Sequence, residues 1–152
     1  MGRVGVSVLR RLLFFLPFLL LTLWAATADE LKIRIMESLA RLVTHKENPG
    51  VYIDTGKRFD TKAAALSKMR IVSSCEMADV LFTENVGALM ERCRIRPGQL
   101  VFSLSYRDYL AHKERTIGAF FWQKGRPNII LNGEELEKER IEIPKRYEKY
   151  VE

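Results

Sequence analysis

The sequence predicts an α/β domain with a mostly parallel sheet, helices on both faces and a late antiparallel hairpin. Three observations lead there. Short apolar runs such as Val80-Leu81-Phe82-Thr83 and Leu100-Val101-Phe102-Ser103 alternate with segments of helical spacing, the pattern of βαβ units. The first three residues of each run are apolar without alternation, as in strands covered on both faces. Ile117–Trp122 and Asn128–Leu131 flank Lys124-Gly125-Arg126-Pro127, a hairpin signal whose proline indicates an edge or a strand start.

The elements follow in order. Leu31, Ile35, Leu39 and Leu42 recur at helical spacing from Asp29 to about His45, with Asp29 and Glu30 where a helix dipole favours acids. Asn48-Pro49-Gly50 breaks that helix, and Val51-Tyr52-Ile53 reads as a strand with Gly56 in the turn beyond it. Asp60 or Thr61 caps an alanine-rich helix through Met69. Strands are expected over Arg70–Ser73 and Val80–Thr83, on either side of Cys75-Glu76-Met77-Ala78-Asp79. Val86–Arg92 forms a short helix, and Arg96-Pro97-Gly98 turns the chain. Gln99–Leu104 is a buried strand, and Ser105 caps a helix through His112. Glu134–Arg140 is a helix with a solvated charged face, and Pro144 fits the first turn of a terminal helix. Within the hairpin, alternation sends Phe120 and Trp122 to one face and Phe121 to the other. A helix is expected to cover that second face.

Residues 1–28 carry an address. Arg3, Arg10 and Arg11 precede the apolar run Leu12–Leu23, and the segment ends in Ala26-Thr27-Ala28, the order of a secretory signal peptide. The run is about 12 residues and contains Pro17, against roughly 20 for a spanning helix. Cleavage after Ala28 is expected, leaving one domain over residues 29–152 in the periplasm; an uncleaved membrane anchor is the alternative. Without the three leader arginines, 22 basic residues face 19 acidic ones, a net of +3. That balance does not mark a nucleic-acid binder. At 47% hydrophobic and 29% charged the chain is globular, and it holds no internal repeat or low-complexity tract.

Cys75 and Cys93 are the only cysteines, an even pair that an oxidising compartment favours as a bridge. Closing that loop would stabilise by about 3 kcal/mol on chain entropy. Two reduced, buried thiols are the alternative, since sequence spacing does not establish approach. No C-x-x-C is present, which removes thioredoxin-type redox chemistry and haem attachment.

Catalytic motifs are sparse. Asp54-Thr55-Gly56 reproduces the aspartic-protease signature once, so catalysis would need a symmetric homodimer. A strand-ending turn explains the same three residues. His45 and His112 stand alone, with no third ligand at metal spacing and no nucleophile setting. No glycine-rich phosphate loop is present. No enzyme activity, cofactor or metal is therefore expected. The more useful group is Ser103, Ser105, Tyr106 and Arg107, where a strand ends and a helix begins. With Lys57 and Arg58 after the first strand, these residues form a candidate site for a small anionic ligand. The alternative is that Ser105 caps its helix and the cations are solvated.

From Met69-Arg70-Ile71-Val72 onward the order of motifs resembles a known family. Ala78-Asp79-Val80-Leu81-Phe82-Thr83 is followed by Leu100-Val101-Phe102-Ser103-Leu104-Ser105 and Gly118-Ala119-Phe120-Phe121-Trp122. Gly125-Arg126-Pro127-Asn128-Ile129 and Ile141-Glu142-Ile143-Pro144-Lys145-Arg146-Tyr147 complete it. This stretch resembles the small periplasmic YfiR-like proteins, which are similar to one lobe of the periplasmic substrate-binding proteins. The resemblance implies a sheet built by the apolar strands and the hairpin, with the final helix packed over it. It also implies periplasmic restraint of a membrane-bound cyclase, or work beside a sensor or permease. The family often has a cysteine just before the Val-Leu-Phe strand, where this chain has Asp79, so its disulfide pairing is not transferred.

Two functions are expected from these readings. The first is an exported, non-enzymatic regulatory protein that docks on a membrane signalling or transport protein. The second is a solute-binding component that captures a small anion for an ABC-type transporter or sensor. A homodimeric aspartic protease through Asp54-Thr55-Gly56 is the third reading.

Overall fold

The structure, a computed structural model, describes residues 29–56, 65 and 67–152. Six strands form one sheet: β1 (Gly50–Asp54), β2 (Arg70–Ile71), β3 (Val80–Thr83), β4 (Leu100–Ser103), β5 (Gly118–Gln123) and β6 (Arg126–Leu131). They lie in the order β2-β1-β3-β4-β5-β6, parallel except for the antiparallel pair β5–β6. This is the α/β architecture that the sequence predicts. Helix α1 covers residues 29–44, followed by α2 (Val86–Arg92), α3 (Tyr106–Ala111) and α4 (Gly133–Lys138). Lys57 and Arg58 lie outside the described residues, and the helix expected from Asp60 or Thr61 through Met69 is described only in part: Ala65 is helical, whereas residues 67–69 are a bend, so the helix ends before Met69.

The two faces bury separate apolar clusters, each large side chain contributing about 1.5–3 kcal/mol. On one face Ile33, Met36, Ala40 and Val43 of α1 pack on Val80, Phe82, Leu100 and Phe102. The buried stripe of α1 is therefore rotated from the expected one: Leu39 is buried, Ile35 and Leu42 are half-buried, and Leu31 is exposed. On the other face Leu81 and Val101 meet Val86 and Leu89 of α2. Cys75 and Cys93 are bridged there, with Cα atoms 6.1 Å apart. The bridge ties the 3-10 turn Cys75–Met77 to the C-cap of α2. β2 is shorter than expected. After Val72 donates to the Val51 carbonyl (2.9 Å), the chain leaves the sheet towards that turn.

Two corrections concern the second half. Arg126 and Pro127 are part of β6, and the turn is only Lys124-Gly125, both at positive φ (51° and 74°), as a type I′ hairpin requires. The strand tolerates Pro127 because Leu131 turns its carbonyl outward to Glu152 N, and Pro127, four residues earlier, faces the same open side. The tail also differs: Lys145–Tyr150 is a 3-10 helix, in which Tyr147 and Tyr150 align at three-residue spacing and both pack on the core. Val151 then bridges Leu131 in parallel and covers the end of the β6 edge. α4 stops at Lys138, short of Arg140, because Arg140 adopts positive φ (56°) and Ile141 N bonds the Leu136 carbonyl.

The hairpin projects. Ser103, the last residue of β4, pairs with Ala119, so β5 runs four residues past its neighbour. Phe120 is in the core, and Trp122 rests edge-on against it while remaining 37% exposed. Phe121, on the opposite face, is half-buried against Tyr106 of α3, so the expected helix cover is partial. At the base of the hairpin, a Cβ on Gly118 would stand 2.3 Å from the Ile130 carbonyl oxygen. Only glycine permits that approach.

Candidate functional site at the carboxyl edge of the sheet

Ligands of doubly wound sheets gather beyond the carboxyl ends of the strands, at the point where the winding reverses. Here that edge is formed by Asp54, Thr83 and Ser103, the last residues of β1, β3 and β4, which stand in register. Thr83 and Ser103 are fully buried. Each hydroxyl accepts the backbone N–H two residues on, from Asn85 (3.1 Å) and Ser105 (3.2 Å). Each of those residues caps a helix: Asn85 accepts from Ala88 N (2.9 Å) and Ser105 from Asp108 N (3.3 Å).

Each hydroxyl proton has a carboxylate within reach, beside the backbone carbonyl of Asn85 (3.1 Å) or Ser105 (2.9 Å). Thr83 donates to Asp54 Oδ2 (2.9 Å), which also accepts from the Arg92 guanidinium (2.7 Å). Ser103 donates to Asp108 Oδ2 (2.9 Å), and the same oxygen accepts Val86 N–H at the first residue of α2 (3.0 Å). His112 Nδ1 lies 3.3 Å from Asp108 Oδ1. Asp108 therefore supplies the negative charge that the start of α2 attracts. Beside it, Tyr109 is buried and donates to Glu152 (2.8 Å), which also pairs with Lys113 (3.1 Å). Burial first, and then the Glu152 carboxylate, hold the Tyr109 phenol above its ordinary value. The hydrogen bond from Tyr109, followed by that from Lys113, lowers the Glu152 carboxyl.

The sequence-derived site is thus divided. Ser103 and Ser105 belong to one hydrogen-bond network, but their hydroxyls are engaged within the protein. Tyr106 leaves the edge to pack on Phe121 at 5.2 Å, and Arg107 is exposed on α3. Asp54 accepts from both Thr83 and Arg92 on Oδ2, so its carboxylate forms an ion pair with a cation of its own chain. Thr83, Asn85, Arg92 and Asp108 were not singled out from the sequence. The recurring order of apolar run, hydroxyl residue, spacer and capping residue, in Val80–Asn85 and Leu100–Ser105, is the signal that finds the first two.

At the opposite edge Asp79 accepts Gly50 N–H (2.7 Å) and the Lys46 ammonium (2.6 Å), tying the end of α1 to β1. Burial works against its charge, but the hydrogen bonds from Lys46 and Gly50 outweigh it and lower the carboxyl. Among the described residues, no group of three His, Cys, Asp or Glu side chains is placed to hold a metal ion. No helix among them is long and apolar enough to cross a membrane. The chain matches no family model, no curated protein and no solved structure.

Proposed function

We propose that this protein is an exported, non-enzymatic regulatory module that docks on a membrane-bound sensor, cyclase or permease. The observation that carries the reading is the occupied carboxyl edge: Asp108 fills the position from which Ser103 and the start of α2 would otherwise hold a small anion. A fold of this class whose ligand position is filled by its own carboxylate is better suited to display surfaces than to trap solutes. The Cys75–Cys93 bridge supports an oxidising compartment, and the order of residues 1–28 supports export to the periplasm. The resemblance of the stretch from Met69 onward to the YfiR-like proteins supports the same role. Tyr106 and Leu110, one helical turn apart on α3 and both exposed, supply apolar contact area beside Phe121.

A photo-crosslinking residue at Leu110, used in intact cells, tests the docking. Capture of one membrane sensor, cyclase or permease is the expected result. A thermal shift with small anionic metabolites, lost in Ser105→Ala and Arg107→Ala, would instead establish solute binding and overturn the proposal. Export is tested separately by N-terminal sequencing of the periplasmic form, with Asp29 as the expected first residue.

A further inference from the structure

The hairpin tip has a composition and a position that the carboxyl-edge network does not explain. We propose that it docks the domain on an anionic phospholipid bilayer, with Trp122 in the lipid headgroup layer and Lys124 and Arg126 on the lipid phosphates.

Position comes first. The four residues by which β5 outruns β4 extend about 13 Å past the carboxyl edge at strand rise, beyond the ends of β1, β3 and β4. Helix α1 begins at the same pole, where Lys32 Nζ lies 5.9 Å from the centre of the Trp122 ring. The apolar run Leu12–Leu23 ends only five residues before the first described residue, Asp29. In the alternative in which the leader is retained as an anchor, these five residues, spanning at most about 18 Å, would keep this pole near the bilayer. With the leader cleaved after Ala28, as proposed, the hairpin tip has to bind unaided.

Charge and chemistry agree with it. No acidic residue occurs from Phe121 to Leu131. At the start of α1, Asp29 is paired with Lys32 (3.8 Å) and Glu30 with Arg34, so the nearby acids are matched. Lys124 and Arg126 are exposed and have no acidic partner among the described residues, which leaves two unmatched cations beside a half-exposed tryptophan. Tryptophan flanked by Lys and Arg is the composition of membrane interfaces. The backbone adds a separate indication. Lys124 occupies the first central position of a type I′ turn at φ 51°, where asparagine is favoured and a lysine is strained. A residue costly to the fold at that position supplies the outermost charge.

The test uses the full chain with Trp24→Phe, which leaves Trp122 as the only tryptophan whether or not the leader is removed. The protein is recovered from cells in the form they produce. Phosphatidylglycerol-containing vesicles should shift Trp122 emission to the blue, and brominated lipid should quench it. Phosphatidylcholine vesicles should do neither. The double variant K124E/R126E should lose about tenfold or more in vesicle affinity, and added salt should weaken binding. Lys124→Asn separates strain from function: it should raise the melting temperature while lowering vesicle affinity. An unchanged spectrum with anionic vesicles, an equal response to neutral ones, or unaltered affinity in K124E/R126E overturns the proposal. Recovery of Met1-containing protein from the cytosol would sink the export reading alone, because vesicle binding is measured independently.

Discussion

The turns from β3 into α2 and from β4 into α3 are written in the same local terms but braced from different distances. Thr83 and Ser103 each close a strand, and Asn85 and Ser105 each cap the following helix. The carboxylate that takes the hydroxyl proton is remote in one case, Asp54 on β1, and local in the other, Asp108 on α3 itself. Asp54 is balanced by Arg92, whose side chain is 57% exposed. Asp108 also reaches across to Val86 N, so it holds the starts of two helices together. The difference teaches that a local cap specifies a helix start, whereas a carboxylate shared between helices specifies their relative placement.

Removing each carboxylate breaks the comparison most sharply. Asp108→Ala leaves Val86 N–H unpaired, although Ser103 keeps the Ser105 carbonyl as acceptor, and should cost about 2 kcal/mol in urea denaturation. Asp54→Ala should cost only about 1 kcal/mol, because Thr83 retains the Asn85 carbonyl as acceptor and Arg92 returns to water. Equal losses would show that the second turn is not the stronger brace.

The disulfide sharpens the contrast from the other end of α2. Replacing Cys75 and Cys93 by serine should remove up to about 3 kcal/mol. Hydrogen exchange should then accelerate in α2 more than in α3, whose buried Tyr109 remains anchored on Glu152. Uniform acceleration would contradict a bridge that acts chiefly on α2.

Smaller effects are expected from the exposed ion pair and from pH. Arg92→Ala should cost about 0.5 kcal/mol, and added salt should reduce the difference. Asp79 belongs to neither turn and provides a control. Its carboxyl titrates lower when folded than when unfolded, so its contribution is complete above the ordinary carboxylate range and is lost as pH falls through it. Asp79→Asn should flatten the acid limb of the stability profile without altering the ranking of the two turns at neutral pH.

Legibility follows the range of the interaction. The apolar runs at β3 and β4, the capping serine at Ser105 and the helix Val86–Arg92 were readable because each depends on neighbours within one turn or one strand. The phase of α1 was not, since Leu31 and Ile33 are equally apolar in sequence and only contact with the sheet separates them. Ser103 and Ser105 were readable as polar groups at a strand end, but the bonds that engage the Ser103 hydroxyl were not. The ion pair of Asp54 with Arg92, 38 positions away in sequence, was not readable from the local Asp54-Thr55-Gly56 motif.

Composition and periodicity alone determined the α/β class, the order of the elements and the late hairpin, because these depend on which residues prefer a strand, a helix or a turn. Tertiary structure decided which face of α1 is buried, which carboxylate meets which hydroxyl, and how far the hairpin extends beyond its neighbours. Those outcomes require strands distant in sequence to settle into register, and only the packed sheet establishes that register.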